Sequence, residues 1–81
     1  MWKEENNKLV REFTFKDFKE AFAFMEAVAG VVNEMDHHPE WSNVYNKVSI
    51  SLCTHDAGDI VTEKDRELAA SIDEIYLKLR I

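Results

Sequence analysis

The sequence predicts an α+β fold: a four-stranded antiparallel sheet with two helices on one face, in the order ββαββα. Three observations carry this. Some stretches alternate apolar and polar residues with period two, two longer stretches repeat at helical spacing, and the breaks between paired strands are built from Asn. Residues 2–5 and 8–15 read as strands joined at Asn6-Asn7, because Asn tolerates the positive φ of a tight hairpin turn. Leu9, Arg11, Phe13 and Phe15 share one face by alternation, with Phe13 and Phe15 its buried part.

At Thr14 the period changes. Thr14-Phe15-Lys16-Asp17 fits a capping box with Asp in the usual Glu position, so a helix is expected over 15–35. Phe15, Phe18, Phe22, Met25, Ala29 and Val32 form one apolar stripe, and Ala21, Phe24, Val28, Val31 and Met35 form a second beside it. That face is wider than one sheet contact requires, which predicts packing on the chain's own sheet and on another copy. Pro39 disfavours the α conformation at His38, so the helix must stop before it.

Trp41–Tyr45 and Lys47–Thr54 read as a second hairpin turning at Tyr45-Asn46-Lys47. Val48, Ile50 and Leu52 make its buried face, and His55 closes the strand on the polar side. His55-Asp56-Ala57-Gly58-Asp59 is a loop. Thr62-Glu63-Lys64-Asp65 is a second capping box opening a last helix, whose apolar stripe is Leu68, Ile72, Ile75, Tyr76 and Leu79. Glu63, Asp65 and Glu67 suit the positive end of its dipole, and Lys78 and Arg80 the negative end.

Residues 1–81 are expected to form a single domain. A chain this short buries only about 60–65% of its unfolded surface, so association with further copies is a natural way to gain core. Cys53 is its one cysteine, which points to a reducing, cytoplasmic setting. The net charge of −6, with scattered Lys and Arg, argues against direct nucleic-acid binding. No stretch approaches the roughly 18 apolar residues needed to cross a bilayer, and the N-terminus lacks a secretory apolar run.

All three histidines fall at element ends, with Asp36 and Asp56 beside them. Imidazole titrates near neutrality, so one His can donate a proton while another accepts one. The end of the long helix favours a charged His37. Trp41 offers an aromatic wall to a flat heterocycle. A metal site made from His37, His38, His55 and Asp56 is the rival reading. Adjacent histidines diverge, and no H-x-x-x-H or C-x-x-C spacing supports it, so no metal is expected. Cys53 is read as a small buried residue rather than a nucleophile.

His37-His38-Pro39-Glu40-Trp41, Asn43-Val44-Tyr45-Asn46-Lys47-Val48 and Thr54-His55-Asp56 together closely resemble the pterin-4a-carbinolamine dehydratase family, also known as the dimerisation cofactor of a homeodomain transcription factor. Phe13-Thr14-Phe15-Lys16-Asp17-Phe18, Ala21-Phe22-Ala23-Phe24-Met25 and Thr62-Glu63-Lys64-Asp65 extend the likeness over essentially the whole chain. The resemblance implies dehydration of a 4a-hydroxytetrahydropterin to the quinonoid dihydropterin, in tetrahydrobiopterin recycling and without a cofactor. It implies His37, His38 and His55 as catalytic residues, and a pterin pocket lined by Asp36, His37, His38, Cys53, Thr54, His55 and Asp56. It also implies homodimers or homotetramers, and an alternative role as a non-enzymatic pterin-binding or transcription-factor dimerisation module. Two departures stand out. The family's Glu, four residues before the first histidine, is here Asn33, with Glu34 one place on and about 100° round the helix. The N-terminal helix of many members is absent from this sequence.

Overall fold

The computed structural model describes residues 1–79. β1 (Lys3–Glu5) and β2 (Lys8–Thr14) form the first hairpin, α1 spans Phe18–Met35, β3 (Glu40–Val44) and β4 (Lys47–Leu52) form the second hairpin, and α2 spans Glu63–Leu79. The sheet is antiparallel throughout, in the order β1-β2-β4-β3. The two central strands pair from Leu9↔Leu52 to Thr14↔Lys47. This register puts Leu9 and Phe13 on the same face as Val48, Ile50 and Leu52, where they join Phe24 and Val28 of α1 and Leu68 and Ile72 of α2 in one core. The predicted fold class and element order are the observed ones.

Asn6 and Asn7 both have positive φ, 52° and 61°, as the first turn requires. At the second turn it is Tyr45 that adopts φ 52°. The Asn43 side chain steadies it, donating from Nδ2 to the carbonyls of Tyr45 (3.1 Å) and Lys47 (2.9 Å).

Two boundaries differ from expectation. The first helix begins at Phe18, not residue 15, and its cap is Asp17, whose carboxylate accepts from the Glu20 N–H at 3.0 Å. Glu20 returns the bond one residue further out, accepting from the Lys16 N–H at 3.0 Å. Phe15 is withheld from the helix because the second hairpin claims its backbone. Its N–H donates to the Asn46 carbonyl at 2.8 Å, and the Asn46 amide donates to its carbonyl at 2.9 Å. Consequently the buried face of α1 is Ala21, Phe24, Val28 and Val32, while Phe18 and Phe22 stand 47% and 48% exposed, stacked on each other. The second difference is at the end of β4. The strand stops at Leu52, and His55 opens a single 3₁₀ turn, His55–Ala57, instead of closing a strand.

Arg11 shares the buried face of β2 without breaking it. Its guanidinium lies 4.4 Å from the Phe13 ring centroid and bonds Asp73 of α2 at 2.8 Å. Trp2 Nε1 donates to the same Asp73 oxygen at 2.7 Å, tying both edges of the first hairpin to α2. Of the charges expected at the end of α2, Lys78 lies in the last turn, and Arg80 lies outside the described residues.

Candidate active site

The end of α1 delivers two histidines. The Val32 carbonyl accepts from the N–H of Asp36 and, at 3.3 Å, from that of His37. Asp36 sits in the left-handed region (φ 52°, ψ 42°), where a short polar side chain is tolerated better than a branched one. This reverses the chain, so His37 and His38 leave the helix instead of continuing around it. Pro39 then leads directly into β3.

The end of β4 delivers the third. Beyond Leu52 the Thr54 N–H donates to the Ile60 carbonyl (2.8 Å) and the Asp59 N–H to the Thr54 carbonyl (3.1 Å), which closes the loop between them. Gly58 at φ 90° permits the tight return that a side chain would strain.

The two junctions meet in a cleft of about 280 Å³. Asp36, His37, His38, Thr54, His55 and Asp56 line it, and Pro39, Glu40 and Lys64 complete it. Two expected pocket residues are placed elsewhere. Trp41 is half-buried against the core and lines a separate groove across the sheet with Val10 and Ser49. Cys53 is buried at the base of the loop and does not line the cleft. Asn33 and Glu34 are both exposed on α1 and also stand outside the lining.

The residue that sequence reasoning missed is Asp65. It is fully buried, and its carboxylate accepts from three directions: His37 Nε2 at 2.6 Å, the Thr54 hydroxyl at 2.8 Å and the Thr62 N–H at 2.8 Å. Burial alone pushes its pKa up. The bonds from His37, Thr62 and Thr54, with the imidazole's charge, outweigh burial and hold it below the usual carboxylate value. Only the Thr62-to-Asp65 half of the expected capping box therefore forms from the side chains. The Thr62 hydroxyl pairs with that of Thr54 at 2.6 Å. The capping signal hid the second use of Asp65, since nothing local announces a partner 28 positions away.

With an ionised carboxylate against it, His37 Nε2 carries a proton, and Nδ1 is the nitrogen free to exchange one. His55 is held differently. Its Nδ1 lies 2.6 Å from Asp59 Oδ1 on an open rim, where its side chain is 71% exposed. At the same rim Lys8 pairs with Glu40 at 2.7 Å; that bond raises the Lys8 pKa and lowers that of Glu40. The cleft thus holds one imidazole anchored to a buried carboxylate and one facing solvent.

The family model described as pterin 4 alpha carbinolamine dehydratase matches residues 1–75. The chain belongs to that family. A provisionally named pterin-4-alpha-carbinolamine dehydratase of Synechococcus sp. (strain WH7803) is 54% identical over 74 residues, covering 91% of this chain and 78% of the relative. A dehydratase similarly named in Paraburkholderia xenovorans (strain LB400) is 62% identical over 65 residues, covering 80% and 67%. Among solved structures, a transcriptional coactivator/pterin dehydratase from Brucella melitensis superposes with a TM-score of 0.88 at 40% identity, over 93% of this chain and 81% of that one. A pterin dehydratase-like protein identified as a RuBisCO assembly factor in the alpha-carboxysome superposes with a TM-score of 0.79 at 27% identity, over 93% and 88%. The dehydratase family is one of hydro-lyases, and this chain is an enzyme of that class. No helix among its described residues is long and apolar enough to cross a membrane.

Proposed function

We propose that the chain dehydrates a 4a-hydroxytetrahydropterin to the quinonoid dihydropterin and water, serving tetrahydrobiopterin recycling in the cytoplasm. The observation that carries this reading is the convergence of His37, His38 and His55 on one cleft, with His37 fixed by a buried carboxylate. The substrate carries a hydroxyl on C4a beside N5–H. One imidazole protonates the departing hydroxyl, the N5 lone pair expels it as water, and a second imidazole removes the N5 proton. The reaction is redox-neutral and passes through no covalent enzyme intermediate. His37 and His55 form the proton-transfer pair, and His38 binds the ring or assists. Asp36 and Asp56 offer hydrogen bonds to the edge of the heterocycle, while Thr54, its hydroxyl spent on Asp65 and Thr62, holds the floor of the cleft in place.

Assay of synthetic carbinolamine tests this directly. Each acid–base group is worth about 10²–10⁴-fold in rate, so His37→Ala and His55→Ala should each fall by that order above the spontaneous reaction. Undiminished turnover in either variant overturns its assignment.

A second reading has its own support. Phe18 and Phe22 are stacked and half-exposed on α1, and the Brucella melitensis neighbour is described as a transcriptional coactivator as well as a dehydratase. In this reading the α1 face assembles homodimers or homotetramers, or receives a transcription-factor partner, and pterin binds without turnover.

A further inference from the structure

Three metal-binding side chains gather where β4 passes into its loop. Cys53 Sγ, a ring nitrogen of His55 and a carboxylate oxygen of Asp59 all lie within 4.8 Å of one another. They are not the four residues weighed from the sequence. His37 of that set is committed to Asp65, and the sulfur and Asp59 stand in its place beside His55. We propose that Cys53, His55 and Asp59 form a three-ligand site for a zinc-type divalent cation, distinct from the pterin cleft but sharing His55 with it.

The donor chemistry selects the ion. One sulfur, one imidazole and one carboxylate with a fourth position open to solvent is a set that suits Zn²⁺ or Co²⁺; Mg²⁺ and Ca²⁺ call for oxygen ligands alone. Bonds of roughly 2.0–2.3 Å in a tetrahedron place ligand atoms about 3.3–3.7 Å apart, so the three donors need to move by only an ångström or so. His55 Nδ1 and Asp59 Oδ1, now 2.6 Å apart across a shared proton, would open to admit the ion. Cys53 is buried while His55 and Asp59 are exposed, so the sulfur forms the floor of the site and the other two its solvent side. Lys8, whose charge acts on the Cys53 thiol, is already paired with Glu40. On binding, the cation displaces the thiol proton to solvent, the proton between His55 and Asp59 passes by way of solvent to the imidazole nitrogen that does not ligate, and the thiolate and carboxylate together neutralise the ion's charge. Loading also takes His55 Nδ1 out of proton exchange; that consequence, unlike the binding itself, rests on the function proposed above.

Cobalt chloride is the probe, titrated into the full chain in a non-chelating reductant. One ion per chain is expected, with a sulfur-to-cobalt charge-transfer band in the near ultraviolet that zinc displaces. Because Cys53 is the chain's one cysteine, a thiolate-to-cobalt band reports its sulfur. Cys53→Ser should abolish the band. Asp59→Asn, an exposed change to a residue that also tolerates the positive φ of this position, should keep the far-ultraviolet circular dichroism and weaken binding by at least ~10-fold, the loss that even indirect supports of a metal produce. No band, or cobalt uptake indifferent to both substitutions, overturns the site. The readout needs no pterin, so it stands or falls separately from the dehydratase assay.

Discussion

Asp65 joins stability to chemistry at a single side chain. Its carboxylate serves a helix N-terminus, a strand-end hydroxyl and an imidazole together. Asp65→Asn keeps the shape but replaces one acceptor oxygen with a donor NH₂, so at least one of the three donors loses its partner. The expected loss is about 1–3 kcal/mol in a urea titration, together with a lower dehydration rate, because a neutral amide holds the protonated nitrogen of His37 less firmly than the carboxylate does. A pH series separates this carboxylate from the others. Its pKa is depressed on folding, so its stabilisation is complete above the unfolded Asp value of ~3.9 and is lost as pH falls through the lower folded value. The wild type should therefore lose stability more steeply than Asp65→Asn on acidification below about pH 4. Parallel curves for the two proteins would remove Asp65 from this role. In the sequence the residue was visible only as a cap. The histidines were visible because they fall at junctions where loops carry chemistry, but their pairing with Asp65 depends on how two distant junctions pack.

At the scale of elements, the capping of α1 shows how local signals compete. Thr14 and Asp17 are both good N-cap residues, and Phe15 fits the helical spacing of Phe18 and Phe22. The deciding bonds come from Asn46, 31 positions from Phe15, and no local pattern contains them. Asp17→Ala should lower stability by about 1 kcal/mol, whereas Thr14→Ala, on the last residue of β2, should stay within ~0.5 kcal/mol. Equal losses at the two positions, read from denaturant midpoints, would count against the observed helix start. The first hairpin turn was legible because Asn-Asn states its own backbone requirement. The second was less so, since Tyr45 is an unusual choice for positive φ and relies on Asn43 for support.

For the molecule as a whole, strand alternation and two helical stretches were enough to give the element order and the single core. The sheet order places β4 beside β2, a pairing set by which apolar faces meet. The wide apolar face of α1 was legible too, and the structure divides it: Ala21, Phe24, Val28 and Val32 are buried, and the Phe18–Phe22 pair is left outside. If that pair lies between copies, Phe22→Lys should shift the mass measured by light scattering towards the monomer while the circular dichroism stays helical. An unchanged mass would direct attention to another surface. The same substitution should leave the histidine cleft intact, because neither aromatic lines it.

The indole of Trp2 touches both layers of the fold. Its ring meets Phe13 edge-on at 5.8 Å, and its nitrogen is fastened to Asp73. Detaching the final helix from the sheet must therefore release this chromophore into water. With Trp41 changed to Phe, the emission wavelength of the remaining tryptophan becomes a built-in gauge of that separation, readable without any label and independent of events at the imidazoles.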